Sequence, residues 1–461
     1  MAAGLQPLGI AQSTGNRRPN VVFLLADQWR AQDVGYAGNG DVITPKIDEL
    51  AAESINITTA VSTCPVCCPY RGCLMTGQYP LTHGVFMNDV QLSNKATSIA
   101  QAFKAGGYDT GYIGKWHLDG RGRSSYIPPE RRQGFDFWRA LECTHNYNNS
   151  PYYADDDVKR TWDGYDAIAQ TREAQSYIRN HAAGKPFLLF LSWGPPHAPY
   201  LTAPSKYNAM FEGKDIALRP NVPDKLRAEA KRDIAGYYAH MAALDDCVGW
   251  VRETLAENGL ADNTILVFTS DHGDMLCSQG NRKKQQPWDE SVRVPFLVRW
   301  PAGFGPEAKQ LDMPFGTPDI MPTLLGLCGL DVPQTVQGRD YAPVLRGKAE
   351  PVNDAELIMC PQPFGQWTRK IGGKEYRGIR TRRYTYARDL NGPWLLYDNT
   401  ADPYQLNNLI NKPEHAVLQK ELDAVLTRKL EETNDDFLPG AHYIKKWNYT
   451  VDATETVPYK N

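Results

Sequence analysis

The feature that most narrows the fold is a set of short, continuous apolar runs, each bounded by turn residues. Val21 to Ala26 is one; Phe187 to Trp193, Thr264 to Thr269 and Pro295 to Trp300 are others. A strand that is apolar at every position, rather than at alternate ones, has to be covered on both faces, which is the habit of parallel sheets sandwiched by helices. Helical patterns lie between the runs. In the clearest, Ile234, Tyr237, Met241, Leu244, Val248, Val251 and Leu255 recur at gaps of three and four, and Gly259 stands where such a helix ends. This alternation predicts an α/β fold with a large, mostly parallel sheet between helices.

Around Gly347 to Asn353 the chain turns polar and Pro-containing, the mark of a boundary. Beyond it come a short strand at Leu357 to Cys360, a basic alternating run from Tyr376 to Tyr386 and a helix from about Glu414 to Glu432. These read as a smaller C-terminal α+β subdomain, a small sheet with one packing helix. The expected division is an N-terminal tail (1–18), a main domain (19–347) and a C-terminal subdomain (348–461). No internal repeat or low-complexity tract is visible.

Composition excludes several classes of protein. Hydrophobic residues make up 42% of the 461 and charged residues 22%, which argues against disorder. The formal net charge of -3 gives no pull toward nucleic acid. No apolar run approaches the roughly 20 residues that span a bilayer, so no membrane partner is expected. Met1 to Arg18 lacks the charged-then-apolar layout of an intact signal peptide. Of nine cysteines, four fall between Cys64 and Cys73. Cys64, Cys67 and Cys68 could be read as a zinc site, but no second Cys/His pair stands at a suitable distance. A disulfide framework is not needed by a chain long enough to build a core.

The chemistry gathers at strand ends, where ligands bind in open α/β sheets. Two apolar strands end in Asp27-Gln28 and in Asp271-His272-Gly273-Asp274. A third ends in Pro196-His197, and a short strand near Tyr112 ends in Gly114-Lys115-Trp116-His117. Acids, histidines and a lysine delivered to one edge are costly to bury without a task. Two carboxylates, an amide oxygen and a histidine suit Ca²⁺ or Mg²⁺ better than a thiolate-loving metal. Read alone, Asp27 and Asp271 could equally be helix caps.

Cys67-Cys68-Pro69-Tyr70-Arg71, followed by Leu74-Met75-Thr76-Gly77, resembles the signature of the formylglycine-dependent sulfatases of the alkaline phosphatase superfamily. The likeness extends over nearly the whole chain. It takes in the opening strand Pro19 to Asp27, Thr44 to Ala51, Gly114 to Leu118, Pro196-His197, Ser270 to Gly273, and Leu396-Tyr397-Asp398, Asp402-Pro403 and Asn408-Leu409 near the C-terminus. Many relatives have a second Asp where this chain has Gln28, and some have Asn where it has His272.

The resemblance implies hydrolysis of sulfate monoesters, with a sulfated carbohydrate as the expected substrate. It implies conversion of Cys67 to formylglycine by a formylglycine-generating or anaerobic sulfatase-maturating enzyme. Asp27, Gln28, Asp271 and His272 are the expected metal ligands, completed by position 67, with Ca²⁺ first and Mg²⁺ the alternative. Arg71 would hold the nucleophile and the carboxylates in register, and Lys115 and Lys284 would clamp sulfate; counting back from Asp289 selects Lys284 over Lys283. His117 would act at position 67, Asp271 would take the nucleophile's proton, and His197 would protonate the leaving oxygen. His145 and Trp367, in segments of sugar-pocket character, are the expected substrate contacts, with the C-terminal subdomain completing the pocket. The family favours a periplasmic or secreted location. Rival readings are a formylglycine-dependent phosphodiesterase or phosphonate monoester hydrolase, and an unmodified, non-catalytic glycan-binding relative.

Overall fold

The computed structural model describes residues 18–182, 184–351 and 355–459; the expected tail, apart from Arg18, lies outside them. The chain builds an eight-stranded sheet in the order β10-β2-β9-β8-β1-β7-β3-β4. Its strands are β1 (Asn20–Asp27), β2 (Ile55–Val61), β3 (Asp109–Lys115), β4 (Phe137–Leu141), β7 (Phe187–Pro196), β8 (Thr264–Ser270), β9 (Phe296–Arg299) and β10 (Lys309–Gly316). Between β4 and β7, two-residue strands β5 (Pro151–Tyr152) and β6 (Arg160–Thr161) form a small separate ladder.

All pairings in the large sheet are parallel except those of β9, which runs antiparallel to both β2 and β8. The apolar run at 295–300 is thus a strand, but a reversed one. The every-position apolar pattern of β1 has a direct cause. Val22, Leu24 and Ala26 enter one core with the helices Asp166–His181 and Arg227–Glu257, while Val21, Phe23 and Leu25 enter a second core on the opposite face. Each Val, Leu or Phe of this strand, fully buried, contributes roughly 1.5–3 kcal/mol.

Beyond the large sheet, β11 (Ala355–Cys360), β12 (Tyr376–Thr381), β13 (Tyr384–Asp389) and β14 (Gly392–Asp398) form an antiparallel four-stranded sheet. The helix Ala416–Glu432 lays Leu422, Leu426 and Leu430 onto it. The sheets are tied by a buried bidentate pair, with Arg380 donating to Asp289 at 3.0 and 3.2 Å, and by the Met359 N–H donating to the Thr63 carbonyl at 2.7 Å. Thr63 lies just ahead of α2 (Cys67–Thr76), so the small sheet braces the segment that enters the site. No helix among the described residues is long and apolar enough to cross a membrane.

Candidate active site

Four adjacent parallel strands, β8, β1, β7 and β3, end at one edge of the sheet. Asp271 follows the last residue of β8, Asp27 ends β1, His197 follows β7, and Lys115 ends β3. Gly114 makes the last placement possible: its φ is +103°, and a Cβ there would lie 2.0 Å from the Ser192 carbonyl of β7. Gln28 and His117, just past their strands, also take positive φ, +74° and +60°. Non-glycine residues are held in that region only where surrounding structure over-determines them.

Cys67 is the first residue of α2, so the helix presents its free N–H groups and positive end there. One turn on, Arg71 is buried on the same face. Its Nη1 donates to the Lys115 carbonyl at 2.6 Å and to Ser192 Oγ at 2.8 Å. Its Nη2 faces Asp271 Oδ2 at 3.3 Å and Asp27 Oδ2 at 3.5 Å. Around Cys67 Sγ stand Lys284 Nζ at 3.2 Å, His272 Nε2 at 3.4 Å, Lys115 Nζ at 3.6 Å and Asp27 Oδ1 at 3.8 Å. Lys115 also pairs with Asp27 Oδ2 at 2.5 Å. Burial and Asp27 push the Cys67 thiol up, but Lys115, Lys284 and His272 override them and hold it well below the usual thiol range. This is a place built for an anion.

The same residues fit a divalent cation. Asp27, Cys67, Asp271 and His272 offer ligand atoms that all lie within 4.8 Å of one another. His272 Nδ1–H donates to the Gly273 carbonyl at 2.9 Å, which leaves the Nε2 lone pair facing Asp271 Oδ1 at 3.4 Å and Asp27 Oδ1 at 3.7 Å. Electron-rich atoms converging this way call for positive charge among them. Burial and Asp27 together push the Asp271 carboxyl up to about 6. Gln28 has its amide orientation fixed, because Nε2 donates to Asp274 Oδ2 at 2.6 Å; its oxygen accepts from Lys284 Nζ at 2.9 Å. The only His/Cys/Asp/Glu metal group among the described residues is this one; Cys64 and Cys68 are not part of it, and all nine cysteines are free.

A cavity of about 210 Å³ opens over Cys67 and is lined by Lys115, His117, His145, His197 and Lys284. The His197 Nδ1–H donates to the Ala198 carbonyl at 2.7 Å, freeing Nε2, and its ring stacks on His145 with centroids 4.5 Å apart. Burial, Lys284 and His145 hold His197 well below its ordinary value, so it rests neutral. His117 goes the other way. Burial opposes its charge, yet Cys68, Cys143 and Asp89 raise it, and its Nε2 lies 3.3 Å from Asp89 Oδ1.

Lys283 stays outside, with its Nζ 2.8 Å from Tyr200 Oη. Trp367 does not reach the cavity, because it is buried in an apolar cluster with Tyr376; its neighbours Gly365 and Gln366 line the cavity instead. Sequence reasoning missed Asp89, Arg123, Phe364, Thr456 and Tyr459 in the wall, along with Val66, Asn88 and Gln285. Of these, only the Gly120-Arg121-Gly122-Arg123 stretch, a glycine-rich basic loop, carried a visible hint.

Comparison with known proteins agrees with this architecture. A family model described as Sulfatase matches residues 19–330, and one described as N-sulphoglucosamine sulphohydrolase, C-terminal, matches residues 279–432. The chain is 43% identical over 455 residues to an ulvan-active sulfatase of Formosa agariphila, covering 98% of this chain and 88% of that protein. It is 34% identical over 469 residues to an endo-4-O-sulfatase of Bacteroides thetaiotaomicron, with 88% and 92% covered. The solved structure of a yidJ sulfatase from Bacteroides fragilis superposes with a TM-score of 0.84 at 32% identity, covering 95% of this chain and 100% of that one. The chain belongs to the sulfatase family, within the alkaline phosphatase superfamily. It is a sulfuric ester hydrolase.

Proposed function

We propose that the protein removes sulfate from a sulfated carbohydrate through a formylglycine formed from Cys67, with a divalent cation, Ca²⁺ or Mg²⁺, held by Asp27, Gln28, Asp271 and His272. The observation that carries this reading is the environment of Cys67 Sγ, which marks the place of the nucleophilic oxygen: a helix N-terminus, two lysines and a histidine within 3.6 Å. Relatives named ulvan-active sulfatase and N-acetylglucosamine-6-O-sulfatase support a sugar as the alcohol.

Converted to a hydrated aldehyde, position 67 would supply one hydroxyl as the nucleophile toward sulfur and a second whose deprotonation would release sulfate. The cation, when bound, supplies Lewis acidity toward a sulfate oxygen. Lys115 and Lys284 neutralise the sulfuryl oxygens from two sides. Arg71 fixes Asp271, which accepts the nucleophile's proton, and His117 serves position 67. The sugar oxygen leaves as the S–O bond breaks and takes its proton from His197 Nε2, which gains that proton from solvent once the substrate is bound. His197 rests neutral, and sulfate arriving beside Lys284 offsets the charge that keeps it so. In the same reading, residues 19–347 form the catalytic domain and 348–461 complete the pocket; Phe364, Gly365, Gln366, Thr456 and Tyr459 in the cavity wall support that division.

The test is sulfate release from sulfated oligosaccharides by protein co-produced with a formylglycine-generating or anaerobic sulfatase-maturating enzyme. Wild type should release inorganic sulfate and Cys67→Ala should not. Equal release by Cys67→Ala would refute the assignment.

A further inference from the structure

The outer half of the cavity contains a cation that the mechanism above does not use. Asp89 stands between the halves. Its Oδ1 faces His117 Nε2 at 3.3 Å, and its two oxygens accept from Arg123 Nε and Nη2 at 2.8 Å each. The Arg123 guanidinium lies over the Tyr459 ring, 3.5 Å from its centroid. The Nη1 edge has no hydrogen-bond partner among the described residues, although the side chain is only 16% exposed and lines the cavity. Arginine has five N–H donors in a rigid fork; Asp89 takes two, and three remain, two of them on the Nη1 edge. Gln366 and Thr456 supply neutral hydrogen-bonding groups to the same wall.

The loop carrying Arg123 is held in place. The Glu142 carboxylate accepts the N–H groups of Leu118, Asp119 and Gly120 at 3.1, 2.7 and 2.8 Å, and the Arg123 carbonyl accepts the Cys143 N–H at 3.1 Å. Asp89 does not cancel the charge of Arg123, since it is shared with His117. A stacked, pre-oriented guanidinium with a free edge is suited to a planar or tetrahedral oxyanion. The cavity, at about 210 Å³, is smaller than the ~300–1,000 Å³ of pockets for drug-sized ligands, so its occupant is about one sugar unit.

We propose that Arg123 binds a second anionic group of the substrate, a carboxylate or a further sulfate, on the sugar bearing the scissile ester or on the unit joined to it. The inference rests on the carbohydrate sulfatase reading and narrows it to polyanionic sugars. Arg123 is then a specificity residue, backed by Tyr459.

The test compares wild type, Arg123→Gln and Arg123→Lys, each with position 67 converted, on four probes. These are monosulfated oligosaccharides containing a uronate, the same after reduction of the carboxylates to alcohols, a disulfated neutral sugar, and 4-nitrophenyl sulfate. Wild-type kcat/KM should fall about 10- to 100-fold when the second anion is absent. Arg123→Gln should lose that advantage and show little further response to carboxyl reduction, while Arg123→Lys recovers part of it. A loss on carboxyl reduction identifies a carboxylate, and a preference for the disulfated sugar identifies a sulfate.

If Arg123 merely braced Asp89 and His117, its replacement would depress all four probes alike, 4-nitrophenyl sulfate included, and the proposal would be overturned. A wild type indifferent to the second anion overturns it too. A converted wild type that releases sulfate from none of the probes fails the proposed function itself, and this inference with it.

Discussion

Replacing Arg71 by Met removes the one cation that touches both buried carboxylates. Arg71 is 1% exposed, and its Nη2 lies 3.3 Å from Asp271 and 3.5 Å from Asp27. The contacts it leaves behind are not equally exposed to the loss. The Lys115 carbonyl keeps the Tyr112 and Ser192 hydroxyls as donors at 2.6 and 3.0 Å, and Asp27 keeps Lys115 at 2.5 Å. Asp271 keeps only the Gln28 N–H at 3.0 Å, so most of the cost falls on it.

Breaking a buried pair costs about 3–5 kcal/mol, and the surviving partners point to the lower end. With an unfolding entropy of about 2.1 cal/mol/K per residue over 461 residues, that lower end is a Tm drop of roughly 3 °C. Activity should fall further than stability, by about 10²–10³ in kcat/KM, because Asp271 loses its orientation. Arg71→Lys should restore little, since one ammonium cannot reach Ser192 and both carboxylates together. Thermal unfolding by circular dichroism in chelator, with sulfate release on the same samples, reads both effects. A Tm within about 1 °C of wild type with activity kept would refute the role given to Arg71.

His197→Ala should reduce turnover of sulfated sugars by about 10²–10⁴ while sparing an aryl sulfate, whose phenolate leaves without a proton; equal losses on both in folded protein would remove His197 from the acid role. Chelated protein should gain about 3 °C in Tm with Ca²⁺ or Mg²⁺ at 100 times its Kd, and Asp271→Asn should lose most of that gain; no shift with either ion would exclude the cation site. His240 is buried and neutral, pushed down to about 4 by burial, and its Nδ1 lies 2.6 Å from Tyr165 Oη. Its folded value lies below its unfolded one, so its stability contribution is present above about pH 6.5 and lost as pH falls through 4. The Tm deficit of His240→Gln relative to wild type should therefore be larger at pH 7.5 than at pH 4.5, and a deficit independent of pH would contradict the neutral assignment.

Much of the fold is legible where burial is extreme. β1 and β7 read as strands because both faces are covered, and the stripe ending before Gly259 reads as a helix because its large apolar residues recur at gaps of three and four, even though small residues such as Ala239, Ala242 and Ala243 bury its other faces too. Strand direction is not written in a four-residue run, which is why β9 looked like its parallel neighbours. β2 is harder to see, since Asn56 and Thr58 break its apolar character on a half-buried face. The inner site is readable for the opposite reason: Asp27, Lys115, His197 and Asp271 are polar groups at the ends of apolar strands, where a charge needs a purpose. The outer wall is not readable, because Arg123 meets Tyr459 only after the C-terminal segment has folded back over the cavity. Trp367 shows the limit of composition: an aromatic beside Gly365 and Gln366 looks like a sugar platform, yet its indole belongs to the core under the small sheet.

The claim on which the rest depends is the identity of residue 67 in active protein. Peptide mass spectrometry across α2, after co-production with the maturating enzyme, should find residue 67 as an aldehyde that forms a hydrazone, with Cys68 and Cys73 still thiols. Because Cys67 is only 2% exposed in the fold, conversion has to reach the chain before that burial is complete. The fraction converted should track specific activity from one preparation to the next. Fully active protein in which Cys67 remains a thiol would contradict the account.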